Sequence, residues 1–204
     1  MMRGRVLAVL ASLVLLLVGC AGATSATKAP GLAERVIEHK LANGLAVLLV
    51  ERHQAPVVSI NVTFGVGGIN EMTGATGVAH LYEHMAFKGT RTIGTKDYAR
   101  ERPLLDELDR LNTRIEARRA AGADTQELQQ LRQVFKDTQD RADQLVVGNE
   151  MSLLYQRHGA VGLNASTGKD VTRYVISMPA NRLPLWAAIE SDRMANPVLR
   201  EFYK

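Results

Sequence analysis

The chain has 204 residues, 46% of them apolar and 23% charged, with a formal net charge of +4. That is room for one ordinary domain, or one domain with an appendage, and it excludes a wholly disordered chain. The single cysteine, Cys20, excludes an internal disulfide framework.

Residues 1–19 read as a leader. Arg3 and Arg5 precede an apolar run from Val6 to Val18, about the length of a secretory h-region and short for a membrane-spanning helix. Its end, Leu17-Val18-Gly19-Cys20, resembles the lipobox of bacterial lipoproteins. That resemblance implies cleavage before Cys20 and acylation of its sulfur, hence a membrane anchor and a periplasm-facing place in the bacterial cell envelope. Losing Arg3 and Arg5 takes the net charge from +4 to +2, so no nucleic-acid partner is expected. Residues 20–34, small, polar and Pro/Gly-containing, suit a tether.

Two apolar runs, Val36–Leu41 and Leu45–Val50, flank Asn43-Gly44, which predicts a β-hairpin with positive φ at both turn residues. Val58, Ile60, Val62 and Phe64 alternate with polar residues and predict a half-buried strand. Gly65-Val66-Gly67-Gly68 lacks the spacing of a phosphate loop and reads as a turn closing that strand. From Thr76 to about Lys88 the spacing is helical, with Val78, Leu81, Met85 and Phe87 apolar. Residues 97–150 predict an inserted helical hairpin: Leu104, Leu108, Leu111 and Ile115 mark one helix, and a capping box at Asp124 to Glu127 opens the next. A strand over Val161–Thr167, a turn at Gly168-Lys169-Asp170, a strand over Val171–Met178 and a helix opened by Asn181 and Pro184 complete the chain. The expected fold class is α+β, an antiparallel-rich sheet with helices on one face. Its domain covers 35–96 and 151–204, interrupted by the hairpin.

The chemistry concentrates in His80-Leu81-Tyr82-Glu83-His84. On a helix, residues four apart share a face, so both imidazoles can converge on one ion, with Glu83 projecting beside it. Imidazole suits zinc, and a site with three protein ligands leaves a position for water. Glu83 is then the candidate general base for metal-assisted amide hydrolysis. The alternatives are a surface histidine pair and a closed structural site, although the latter usually takes four side chains, often cysteines. His39, His53 and His158 are isolated.

The run from Gly74 to Thr90 around that motif resembles the signature of the pitrilysin/insulinase/mitochondrial processing peptidase family, the inverzincins. The resemblance extends to the hairpin, to Asn164–Tyr174 and to Leu185–Tyr203. It implies a zinc endopeptidase acting on peptides or unfolded proteins, with His80 and His84 as ligands of Zn2+ and Glu83 as base. It also implies that Asn164, Ala165, Ser166 and Thr167 lie on an edge strand that pairs with extended substrate. The family's third ligand is a glutamate in a later segment, for which the expectation is that this chain stops short, with Glu190 the fallback and Glu201 and Glu150 behind it. A C-terminal half or a homologous partner subunit is expected to complete the enzyme. The competing expectations are a non-catalytic peptide-binding or scaffold subunit, and a gene fragment.

Overall fold

A computed structural model describes residues 31–204; the leader and Cys20 lie outside them. The described residues fall into two compact units that divide between Gln54 and Ala55. In the first, β1 (Val36–Lys40) pairs antiparallel with β2 (Ala46–Val50), Val36 opposite Val50 and Lys40 opposite Ala46. The hairpin forms where Asn43-Gly44 places it, but its turn is of another type. Only Gly44 takes a positive φ, 90°. Gly44 N–H donates to the Leu41 carbonyl and Leu41 N–H to that of Leu45, a three-residue loop ending in a left-handed glycine. Asn43 is left at negative φ, and its Oδ1 accepts from Leu45 N–H.

The second unit runs β3 (Val57–Phe64), α1 (Val78–Met85), α2 (Tyr98–Ala120), α3 (Thr125–Asp143), α4 (Glu150–Arg157), β4 (Val161–Thr167), β5 (Thr172–Pro179) and α5 (Leu183–Ala195). Its sheet has the order β3-β5-β4, antiparallel throughout, so β5 is central. Alternation decides which face is covered. Tyr174, Ile176 and Met178 of β5 are buried while Arg173 and Val175 are exposed, and Val58, Ile60 and Val62 of β3 turn the same way. Met151 and Tyr155 of α4 and Ile189 of α5 pack with Ile176 and Met178 into the core. Each such side chain contributes about 1.5–3 kcal/mol of burial. The α+β class read from the sequence is the class observed.

Helix α4 is an addition to the elements read from the sequence. Met151, Leu154 and Tyr155 do carry helical spacing, but eight residues are too few to separate that period from the end of the preceding helices. Helices α2 and α3 form where their leucines recur, burying Leu108, Leu111, Ile115 and Leu131. Only half of the capping box is used. Asp124 accepts from Glu127 N–H at 2.7 Å, while the Glu127 carboxylate forks the Arg118 guanidinium across the loop, both contacts at 2.6 Å. The segments that flank α2 and α3 are joined by the Thr95–Val146 bridge and by Lys96 N–H to the Leu145 carbonyl.

Candidate metal centre

Helix α1 opens at Gly77, which has no side chain to cap it. The carboxylate of Glu71 takes that role from six residues away, accepting from Gly77 N–H at 2.7 Å and Ala79 N–H at 2.8 Å. Those two amides, Ala79 foremost, hold the Glu71 carboxyl below its ordinary value. An anion at a helix N-terminus is also favoured by the exposed amide dipoles there. Sequence reading passes over Glu71 because capping is sought within three residues of the first turn.

The face that α1 turns towards β4 and β5 differs from the one expected. Met85 and Ala86 are buried, but Val78 and Leu81 are more than two-fifths exposed. Glu83, expected to project beside the metal and away from the core, is 7% exposed. It is buried because Thr167, the last residue of β4, reaches it: Thr167 Oγ1 donates to Glu83 Oε2 at 2.6 Å. That is the length of a hydroxyl bonded to a charged acceptor.

His80 and His84 stand one turn apart and are both exposed, with ring centroids 4.7 Å apart. Their Nε2 atoms lie 3.1 Å from each other. Two nitrogens on a tetrahedral zinc, each at about 2.0–2.1 Å, are separated by about 3.3 Å, so the pair fits the ion with almost no adjustment. One oxygen of Glu83 completes a group whose ligand atoms all lie within 4.8 Å of one another. The set can therefore hold a divalent ion through two imidazoles and keep a carboxylate at its side.

The three fallback ligands are committed elsewhere. Glu190 Oε1 accepts from the Tyr155 hydroxyl at 2.8 Å and its Oε2 from Arg193 Nε at 3.0 Å, all within the core. Burial, then the Glu190 carboxylate, pushes the Tyr155 phenol well up. Glu201 is held by Lys88 at 2.7 Å and Lys204 at 2.6 Å, and Glu150 accepts from Gly94 N–H. The glycine run after β3 is a turn, as expected: Gly68 and Ile69 N–H donate to the carbonyls of Gly168 and Lys169, which leaves them unavailable to a phosphate.

Strand β4 is an edge of its sheet among the described residues. A bulge lies between Val161 and Asn164, where Gly162 takes φ 66°, and it sets the register beyond it: Asn164 opposite Val175 and Thr167 opposite Thr172. Because Gly168 N–H donates to the Val171 carbonyl, the ladder's alternation makes Ser166–Arg173 and Asn164–Val175 the hydrogen-bonded pairs. The main-chain groups of Ala165 and Thr167 consequently face the free edge. Ala165 N–H accordingly bonds the Asn164 side chain at 2.9 Å rather than β5. The four residues singled out by sequence thus divide in two, with Ala165 and Thr167 offering main chain outward and side chains inward.

Fold and site together define an α+β protein whose helix α1 brings two histidines and a glutamate together. Residues 46–118, which include that helix, match the family model described as Insulinase (Peptidase family M16). An uncharacterized zinc protease of Rickettsia bellii is 45% identical over 62 residues, 30% of this chain and 15% of that protein. Zinc protease PqqE of Helicobacter pylori is 36% identical over 59 residues, 28% and 13% of the two. The crystal structure of a protease from Helicobacter pylori superposes with a TM-score of 0.52 at 23% identity, over 82% of this chain and 27% of that one. The chain shares the fold of that protease over most of its own length and spans only a small part of the length of the relatives it matches.

Proposed function

We propose that the chain is the metal-binding portion of a zinc-dependent endopeptidase acting on peptides or unfolded proteins. The 3.1 Å approach of His80 Nε2 to His84 Nε2 beside the Glu83 carboxylate carries this reading. The names of its relatives support zinc as the ion. Held by His80 and His84, a zinc ion would polarise the scissile carbonyl and acidify a water. Glu83 accepts the proton of the attacking water and returns it to the leaving amine. An extended peptide adds to the free edge of β4, its main chain meeting that of Ala165 and Thr167, which gives affinity without demanding one sequence. Glu150, Glu190 and Glu201 each have other partners, which supports a third ligand from elsewhere. A C-terminal half or a homologous subunit supplies it. Acylation at Cys20, read from the lipobox, places the protein on the periplasmic side of the envelope, and mass spectrometry of the N-terminal peptide tests that.

The function is tested with the zinc-loaded protein purified from its own membranes and an internally quenched peptide. Glu83→Gln is expected to abolish cleavage while zinc stays bound. Undiminished cleavage in that variant overturns the assignment. Peptide binding without cleavage by the unaltered protein would favour the non-catalytic reading.

A further inference from the structure

A general base must present one oxygen to water and keep it there. Glu83 Oε2 is taken by the Thr167 hydroxyl at 2.6 Å. Among the described residues no donor reaches Oε1, and that oxygen is not sealed off from solvent. The two oxygens are thus inequivalent before any substrate arrives.

The hydroxyl that makes them so is itself held in place. Thr167 Oγ1 has a second acceptor in reach, Thr172 Oγ1 at 3.3 Å. Thr172 spends its single proton on the Val66 carbonyl at 3.0 Å, so it presents only lone pairs to Thr167. The shorter contact and the carboxylate charge send the Thr167 proton to Glu83. Thr172 is 6% exposed and Thr167 half-buried, and β-branching stiffens both at χ1. A short chain therefore runs from the strand-end carbonyl of Val66 through two threonines to one oxygen of Glu83.

We infer that Thr167 is a positioning residue: its hydroxyl fixes Glu83 through Oε2 and leaves Oε1 as the oxygen that takes the proton. This deepens the proposed function, on which the role of Glu83 rests. It also changes the part given to Thr167 by sequence. The side chain is committed to the base, and only its main chain is free for a peptide. One residue then serves both the receptor strand and the base.

The test uses the full chain with 13C-labelled glutamate, following the Glu83 side-chain carboxyl resonance at one fixed pH near neutrality. The resonance is assigned by its absence in Glu83→Gln. Thr167→Val keeps the β-branched shape and removes the hydroxyl; Thr167→Ser keeps the hydroxyl. The resonance is expected to shift in Thr167→Val and to return in Thr167→Ser, with zinc affinity unchanged in both. If Thr167→Val does not fold, Thr167→Ala takes its place. A resonance that stays put in a folded variant lacking the hydroxyl overturns the assignment. Turnover is read separately on the variants of the complete protein. Loss of about ten- to a hundredfold in kcat with KM unchanged is expected for Thr167→Val, again restored by serine, and an equal loss in the serine variant contradicts the proposal. A shifted resonance in a protein that never cleaves peptides sinks the peptidase reading and leaves the hydrogen bond assignment intact.

Discussion

Glu71 and Glu83, twelve residues apart in the chain, differ in how legible they are in the sequence. Glu83 is singled out by its place between two histidines four apart. Glu71 is not, since its partners are the amides of Gly77 and Ala79, met only once the intervening loop has folded back. The same holds for Thr167, whose hydroxyl finds Glu83 across 84 residues. Glu71 has a consequence for acid stability. Its carboxyl is held below the ordinary value in the folded chain, so the folded state binds that proton less readily than the unfolded one. The stabilisation is present above the unfolded value of about 4.5 and is lost as pH falls through the lower folded value. Glu71→Gln is expected to lower the thermal midpoint at neutral pH and to flatten its decline below pH ~4.5. A melting series from neutral pH into acid checks this. An unchanged acid limb would mean that Glu71 does not cap α1.

At the scale of elements, strand β4 is where sequence and structure differ most usefully. Its alternation was readable, but the bulge at Gly162 was not, and the bulge decides which amides face outward. Proline is tolerated on an edge strand where the lost N–H faces away from the sheet. Ala165→Pro removes an outward amide that β5 does not use, so the chain is expected to stay folded and to bind extended peptide more weakly. Ser166→Pro removes an amide of a hydrogen-bonded pair, and it is expected to lower the melting temperature and loosen the strand. Circular dichroism melts and a fluorescent-peptide titration of both variants separate the two. Equal loss of stability in both would show that the register places Ala165 inward. The helix α4 escaped sequence reading for a related reason: eight residues carry too little period, although Met151 and Tyr155, each 1% exposed, anchor the core.

At the scale of the molecule, the segment after α5 is fastened by a residue that no local pattern marks. Arg200 is fully buried. Its Nε donates to Glu101 Oε1 at 2.6 Å, and its terminal nitrogens donate to the carbonyls of Lys88, Thr90 and Ile93. One guanidinium therefore ties the C-terminal segment to the start of α2 and to the loop that follows α1. Arg200→Met is expected to cost about 3–5 kcal/mol, because Glu101 is left buried without its counter-charge; chemical denaturation measures it. A loss below about 1 kcal/mol, the range of exposed pairs, would contradict the burial. Hydrophobic period and turn residues made the sheet, helices α2 and α3, and the helix bearing His80 and His84 readable in advance. The ties between distant segments were not, because an ion pair across 99 residues leaves no trace in spacing.

The most direct measurement is a calorimetric zinc titration of the purified chain alongside its His80→Ala and His84→Ala variants. One zinc per chain is expected to bind through the facing imidazoles, more tightly when the segment or subunit bearing the third ligand is added, and each alanine variant is expected to lose that binding. Zinc binding that survives both substitutions undiminished would place the metal elsewhere and contradict the assignment of this helix as the metal centre.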